Sequence, residues 1–176
     1  MSVPRASGTA GAIGVNIKRF FPRADFWSRI KLQVVAGYMF HVGLFALLFF
    51  AAPHIDFYRK YLLGFGWPAM PEWAFILVSE IAFLGLLLLI LHRLMNPVTR
   101  AISTRGDYIG SILIFLVMLT GCLALARAYE PLRVLHFFLA ELLLLYFPFS
   151  ALMHTFTFPF SRGFMGAHYG RRGVSV

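Results

Sequence analysis

The stretch from His136 to His154 reads HFFLAELLLLYFPFSALMH, an almost wholly apolar segment with a histidine at each end. The two histidines are five full turns apart on an ideal α-helix, so their rings are expected on one face. At 1.5 Å per residue they would lie about 27 Å apart, close to the thickness of a bilayer's hydrocarbon core. The stretch therefore predicts a spanning helix with one imidazole near each membrane surface.

The whole chain has the composition of a membrane protein. Of its 176 residues, 60% are hydrophobic and only 13% are charged, about half the charged fraction of a soluble domain. Four apolar runs each have about the 20 residues that a spanning helix needs: residues 32–52, 73–94, 108–125 and 134–156. These runs are too few and too continuously apolar for a β-barrel. The sequence therefore predicts an all-α membrane protein, a bundle of four transmembrane helices.

The net charge of +9 is distributed unevenly along the chain. Most Lys and Arg residues lie in the N-terminal arm, in the loop between the second and third spans, or in the C-terminal tail. Cytoplasmic segments of membrane proteins collect positive charge. Both termini and the middle loop are therefore predicted to be cytoplasmic, with the chain in the cell's inner membrane. This distribution argues against nucleic acid as the partner of the basic residues.

Three segments are predicted along the chain. Residues 1–31 form a cytoplasmic arm in which residues 17–29 interleave aromatic and basic side chains, a mixture that suits an interfacial segment at the lipid headgroups. Residues 32–157 form the four-helix membrane domain. Residues 158–176 form a basic cytoplasmic tail with several glycines, which is expected to be a docking strand that orders on contact with a partner.

A second pair of histidines, His41 and His54, belongs to the first span. Because the first and fourth spans run in opposite directions, His41 is expected at the depth of His154, and His54 at the depth of His136. On an ideal helix the rings of His41 and His54 would point about 140° apart. Pro53 is expected to kink or end the helix and so turn His54 towards the fourth span. Each depth then has two opposed imidazoles.

Two opposed imidazoles suit the axial positions of a b-type haem. With both positions filled, no substrate binds the iron, and the haem serves as an electron carrier. The four histidines therefore predict two haem b groups, one near each membrane surface. Zinc is disfavoured, because no Cys or carboxylate joins either pair at the usual ligand spacing.

Other polar side chains at or near membrane depth complete the candidate site. Glu80 and Glu141 lie about 12–14 Å into their spans from the outer surface, where a carboxylate must be protonated or paired. Each is either a proton acceptor in quinol oxidation or a neutral acid that is hydrogen-bonded between helices. Arg100 and Arg105 in the inner loop suit haem propionates. Asp107 is predicted to cap the third span.

Three stretches resemble the cytochrome b (gamma) subunit of respiratory nitrate reductase: FHVG at residues 40–43, VTRAIST at 98–104 and FPFSALMH at 147–154. The wider family includes membrane cytochromes that partner heterodisulfide-reductase-like iron–sulfur proteins, and Pro53-His54 is more similar to that branch. The resemblance covers about four-fifths of the chain.

This resemblance implies two b haems, quinol oxidation at the outer haem and electron delivery to a cytoplasmic iron–sulfur subunit. It assigns His41 and His154 to the inner haem, and His54 and His136 to the outer haem. The assignment agrees with the argument from depth in the membrane.

The hypothesis is thus an electron-transfer subunit of a respiratory, quinone-linked oxidoreductase complex rather than an enzyme on its own. Its partner, an iron–sulfur subunit of heterodisulfide-reductase-like or molybdoenzyme-associated type, is expected to dock on the inner loop and the tail. Two alternatives stay open. One is a non-haem transport or assembly protein with structural histidines, and the other is the cytochrome b of a membrane-bound hydrogenase. The direction of electron flow is not specified by the sequence.

Overall fold

The computed structural model describes residues 7–127 and 129–174, and within these ranges it is helical with no β-strand. The prediction of an all-α protein is confirmed. The eight α-helices of the described ranges are α1 (Gly8–Lys18), α2 (Ala24–Phe50), α3 (Ala52–Phe57), α4 (Glu72–Met95), α5 (Pro97–Ile102), α6 (Arg105–Arg127), α7 (Glu130–Tyr146) and α8 (His154–Arg171).

Four segments are long and apolar enough to cross a membrane, as predicted: Ala24–Phe50, Glu72–Met95, Arg105–Ala126 and Glu130–Phe149. The first three contain or nearly match the predicted spans. The fourth is shifted towards the N-terminus, because the predicted span of residues 134–156 is not one helix.

The chain leaves the α-helical conformation between His136 and His154. Helix α7 ends at Tyr146, and two 3₁₀ turns, Phe147–Phe149 and Ala151–Met153, precede α8. Pro148 has no backbone N–H to continue the helix, and the Ser150 hydroxyl accepts a hydrogen bond from the Leu152 N–H (3.2 Å) at the start of the second turn. The prediction of one straight helix with both histidines on one stripe is therefore wrong. His136 lies on α7, and His154 is the first residue of α8.

The first span also ends in a break, and here the prediction is confirmed. Helix α2 stops at Phe50, Ala51 is extended (φ −71°, ψ 133°), and Pro53 lies in the first turn of α3. A proline is tolerated there because the first N–H groups of a helix have no partner within it. His54 is thus carried by a separate short helix rather than by the end of α2.

A π-helical turn follows α3 and leads into the outer loop. The turn covers Tyr58–Leu63 and ends at Gly64, whose φ of 76° lies in the left-handed region that glycine adopts without strain. The loop then folds back onto the end of α2: the Met70 N–H donates to the Phe50 carbonyl (3.0 Å), and the Trp67 indole donates to the Phe49 carbonyl (2.7 Å).

The chain forms two compact units, the membrane unit (residues 30–146) and the terminal unit (residues 1–29 and 147–176). In the membrane unit, small residues bring α2 and α4 together. A Cβ atom at Gly85 would lie 2.6 Å from the Phe40 nitrogen, and one at Gly43 would lie 2.6 Å from the Ala82 Cβ. Close backbone approach through small residues is the common way for helices to associate in lipid.

The terminal unit pairs α1 with α8, which the sequence did not predict. A Cβ atom at Gly11 would collide with the Gly166 carbonyl, and one at Gly170 would lie 3.0 Å from the Gly11 Cα, so the two backbones are in contact. The expected docking strand in the tail is wrong: residues 158–171 continue a helix that packs on α1. The first and last helices of the described ranges therefore form one helical pair.

Candidate functional site

His136 lies on α7 and packs against α6 at a glycine. A Cβ atom at Gly121 would lie 2.9 Å from Cε1 of His136, so the ring occupies the space that a larger residue would fill. The Nδ1–H of His136 donates to the Val117 carbonyl (3.0 Å), and the Thr120 hydroxyl lies 3.4 Å from the same nitrogen. Helix α6 therefore fixes both the position and the orientation of this imidazole.

His54 is oriented by the end of α2. Its Nδ1 lies 3.1 Å from the Leu47 carbonyl and 3.0 Å from the Leu48 carbonyl. The last carbonyls of a helix have no partner within it, and the break at Ala51 lets α3 turn the His54 ring back onto them. The break expected at Pro53 thus lets the His54 ring reach these two carbonyls.

The rings of His54 and His136 are neighbours. Their centroids are 6.1 Å apart and their planes differ by 20°. A carbonyl oxygen can only accept, so Nδ1 is the protonated nitrogen of each ring and Nε2 carries the free lone pair. In the described ranges no hydrogen bond reaches Nε2 of either ring.

The centroid separation of 6.1 Å equals the one expected for two imidazoles that bind one metal from opposite sides. Their centroids would be about 6 Å apart, because each metal–nitrogen bond is about 2 Å long and each nitrogen lies about 1 Å from its ring centre. Metal-bound histidines usually donate their other N–H to a carbonyl or carboxylate, which fixes the tautomer. His54 and His136 therefore meet two requirements of a metal-binding histidine pair, the separation of the rings and a carbonyl partner for each Nδ1.

In the other two predicted ligands, Nδ1 also lies next to a backbone carbonyl. In the membrane unit, the Nδ1 of His41 lies 2.7 Å from the Gly37 carbonyl, and in the terminal unit the Nδ1 of His154 lies 2.8 Å from the Ala151 carbonyl. The two residues belong to different units, and their pairing stays a prediction. All four histidines singled out by the sequence thus present Nδ1 to a backbone carbonyl.

The structure places Glu80 and Glu141 on exposed faces of α4 and α7. Within the described ranges neither carboxylate has a hydrogen-bond or ion-pair partner. A neutral acid that is hydrogen-bonded between helices, one of the two roles predicted for each residue, would need a partner group. The described ranges provide none. Each is an exposed carboxylate on a helix that is long and apolar enough to span a membrane.

Arg100 and Arg105 are exposed, and in the described ranges neither makes an ion pair. The arginine that organises the inner loop is Arg93, which the sequence did not single out. Its guanidinium donates to the Ser103 hydroxyl (2.7 Å) and lies 3.7 Å from the Asp107 carboxylate.

The predicted helix cap at Asp107 is confirmed. The carboxylate accepts from the N–H and the hydroxyl of Thr104, each at 2.8 Å, across the first turn of α6. The bond from the Thr104 N–H is the carboxylate half of a capping box, while the Asp107 N–H donates to the Thr104 carbonyl (3.2 Å).

An apolar pocket in the outer loop was also missed. It is an open, shallow depression of about 600 Å³ lined by Phe49, Phe50, Trp67 and Pro68. In the sequence, only the aromatic residues between the first two spans indicate such a pocket.

Tyr58 connects this pocket to His54. Its ring lies 5.9 Å from that of Trp67, and its hydroxyl donates to the Leu48 carbonyl (3.2 Å), the same carbonyl that accepts from His54. Burial raises the pKa of the Tyr58 hydroxyl, so this group stays protonated at neutral pH and can donate.

No three His, Cys, Asp or Glu side chains in the described ranges are close enough to hold a metal ion together. Haem iron needs only two axial protein ligands, because the porphyrin supplies the rest.

Comparison with known proteins identifies one distant relative and no family. A protein of Nitratidesulfovibrio vulgaris (strain Hildenborough), named only "Protein", is 28% identical over 172 residues, which is 96% of this chain and 76% of that protein. No family model matches the chain. No solved structure matches it either.

Proposed function

We propose that this chain is the dihaem cytochrome b subunit of a quinone-linked respiratory complex in the inner membrane. It would pass electrons between the quinone pool on the outer side and a cytoplasmic iron–sulfur partner. The observation that carries this proposal is the arrangement of His54 and His136, whose rings are 6.1 Å apart with Nδ1 of each bonded to a carbonyl.

The four histidines have defined tasks in this proposal. His54 and His136 hold the outer haem, and His41 and His154 hold the inner haem. A b haem held in this way supplies a one-electron carrier whose iron has no open position. The carbonyls of Leu48 and Val117 keep Nε2 of the outer histidines unprotonated and fix the orientation of both rings.

Quinol would bind in the pocket of Phe49, Phe50, Trp67 and Pro68. The pocket suits a flat ring with a long apolar tail, because its lining is apolar and it is formed by residues at the end of a span. Tyr58 lies between this pocket and His54, so a ring bound there would be one side chain away from the outer pair. Glu80 and Glu141 remain the candidates for accepting the two protons that quinol releases.

The cytoplasmic partner would dock on the loop between α4 and α6. Arg100 and Arg105 are exposed in this loop. The contacts of Arg93 with Ser103 and Asp107 stabilise the conformation of the loop. Cations that have no ion-pair partner in the described ranges suit an acidic surface on an iron–sulfur subunit or, for a haem bound at this level, its propionates.

The test is to purify the full chain and record reduced-minus-oxidised spectra together with the haem content per chain. We expect b-type bands and two haems. His136→Ala should lose one haem and keep the other, while His168→Ala, which alters a histidine of the tail, should keep both. A folded, colourless protein that takes up no added haemin would overturn the proposal.

A further inference from the structure

The terminal unit has an apolar face beyond the last span. Phe156, Phe160 and Phe164 recur every four residues along α8 and are 62%, 79% and 74% exposed. Phe160 lies about 120° around the helix from Gly166, which faces α1. The phenylalanine stripe therefore does not pack on α1, and such a contiguous exposed apolar surface marks a site of interaction.

The same unit is strongly basic. In its described parts the only side-chain carboxylate is that of Asp25, which pairs with Arg23 (3.1 Å). The remaining charged side chains are all cationic: Lys18, Arg19, Arg29, Arg162, Arg171 and Arg172. A helix pair with aromatic residues on one side and such an excess of cations fits the surface of an anionic bilayer.

Arg162 is held in a fixed orientation within this unit. Its guanidinium carbon lies 5.0 Å from the centre of the Phe158 ring and 5.5 Å from that of Phe20, and the two rings meet edge to face. Its Nη1 has no hydrogen-bond partner in the described ranges. A planar guanidinium packed against two aromatic rings in this way holds the segment that follows α1 against α8.

The connectivity keeps this unit at the membrane surface. Helix α2 begins in the terminal unit at Ala24 and then crosses the bilayer, and the five residues between α1 and α2 reach at most about 18 Å. A lipid surface is therefore always available to the phenylalanine stripe, whereas a soluble protein would have to be recruited.

We propose that the α1–α8 pair is a lipid-binding module of the cytoplasmic leaflet. Phe156, Phe160 and Phe164 enter the acyl-chain boundary, and Arg171 and Arg172 bind the phosphates of anionic phospholipids. The inference does not depend on haem, so it can stand or fail separately from the proposed function.

Nitroxide labels at Phe160→Cys and Ser161→Cys test the proposal in the full chain, with Cys122→Ala as the background. These neighbours lie about 100° apart around α8. Each variant is reconstituted in phosphatidylcholine vesicles with or without one third phosphatidylglycerol, and access by oxygen and by a nickel chelate is measured. We expect the label at 160 to be severalfold less accessible to nickel than the label at 161, with a larger difference when phosphatidylglycerol is present.

Two further variants make the outcome decisive. Arg171→Gln with Arg172→Gln should abolish the response of the label at 160 to phosphatidylglycerol, while Arg59→Gln with Lys60→Gln, at two exposed cations of the π-helical turn, should leave it unchanged. If Phe160→Cys does not fold, Phe164→Cys labels the same stripe. Equal nickel access at 160 and 161 in both vesicle types would overturn the proposal. Protection of 160 that occurs only when a cytoplasmic extract is added would also overturn it and indicate a protein partner.

Discussion

A Cβ atom at Gly121 would lie 2.9 Å from Cε1 and 3.1 Å from Nδ1 of His136. Helix α6 therefore has no side chain where the imidazole of α7 lies against it. The Val117 carbonyl, one turn away on the same helix, accepts the Nδ1–H of this imidazole. One helix thus provides both the space for the ring and the acceptor that sets its tautomer.

Gly121→Ala is expected to displace the His136 ring. Inserting a methyl group into a packed contact typically costs about 1–3 kcal/mol, and the displaced ring would lose its hydrogen bond to Val117. The measured results should be a lower haem content, through loss of the outer haem, and a lower midpoint of thermal unfolding. Gly37→Ala is the matched control, since a Cβ atom there meets nothing within 4 Å. Full haem content in Gly121→Ala would contradict the expected displacement of the His136 ring.

Trp67→Ala is expected to weaken quinol binding at the outer pocket. The change removes one wall of the pocket together with the hydrogen bond to the Phe49 carbonyl. The concentration of a soluble quinol that gives half-maximal haem reduction should rise about tenfold, equivalent to a loss of about 1.4 kcal/mol. Trp73→Ala, an exposed tryptophan at the start of α4, serves as the control. An equal rise in both variants would place quinol elsewhere.

Local sequence chemistry was enough to predict several features. The four spans follow from continuous apolar runs, the end of α2 from Pro53, and the cap of α6 from Asp107. Each depends on side chains near in sequence to the structure they form. The four histidines were identified because ionisable rings in apolar segments are rare.

The remaining features depend on contacts that hydropathy does not encode. The apolar run continues through residues 147–153 although the helix does not, because Pro148 changes the backbone without changing the polarity. The contact of Gly11 with Gly166 leaves no hydrophobic pattern, since it joins two backbones. Gly121 was missed for a related reason: its role is the absence of a side chain opposite a ring on another helix.

Glu80→Gln distinguishes a proton acceptor from a structural acid. Glutamine keeps the shape of the side chain and removes its capacity to accept a proton. A proton acceptor in quinol oxidation contributes about 100-fold or more to the rate, so haem reduction by quinol should slow by about that factor at unchanged haem content. Glu72→Gln, at the exposed first turn of the same helix, is the control. The same comparison is applied to Glu141→Gln.

An unchanged rate in both glutamine variants, with a lower unfolding midpoint in either, would instead identify a structural acid. The structure offers no partner for these carboxylates in the described ranges. Such a result would therefore imply that another subunit supplies one.

Gly11→Ala is expected to separate α1 from α8 while leaving the membrane unit intact. The new methyl group would collide with the Gly166 carbonyl and approach the Gly170 Cα, and backbone atoms cannot move aside as a flexible side chain can. Amide hydrogens of α1 should therefore exchange faster, by about fivefold or more for a loss of about 1 kcal/mol. Gly14→Ala lies on the same helix, meets nothing within 4 Å, and should slow exchange, because alanine favours the helix by about 1 kcal/mol over glycine. Similar exchange rates in the two variants would show that the glycine contact does not hold the helices together.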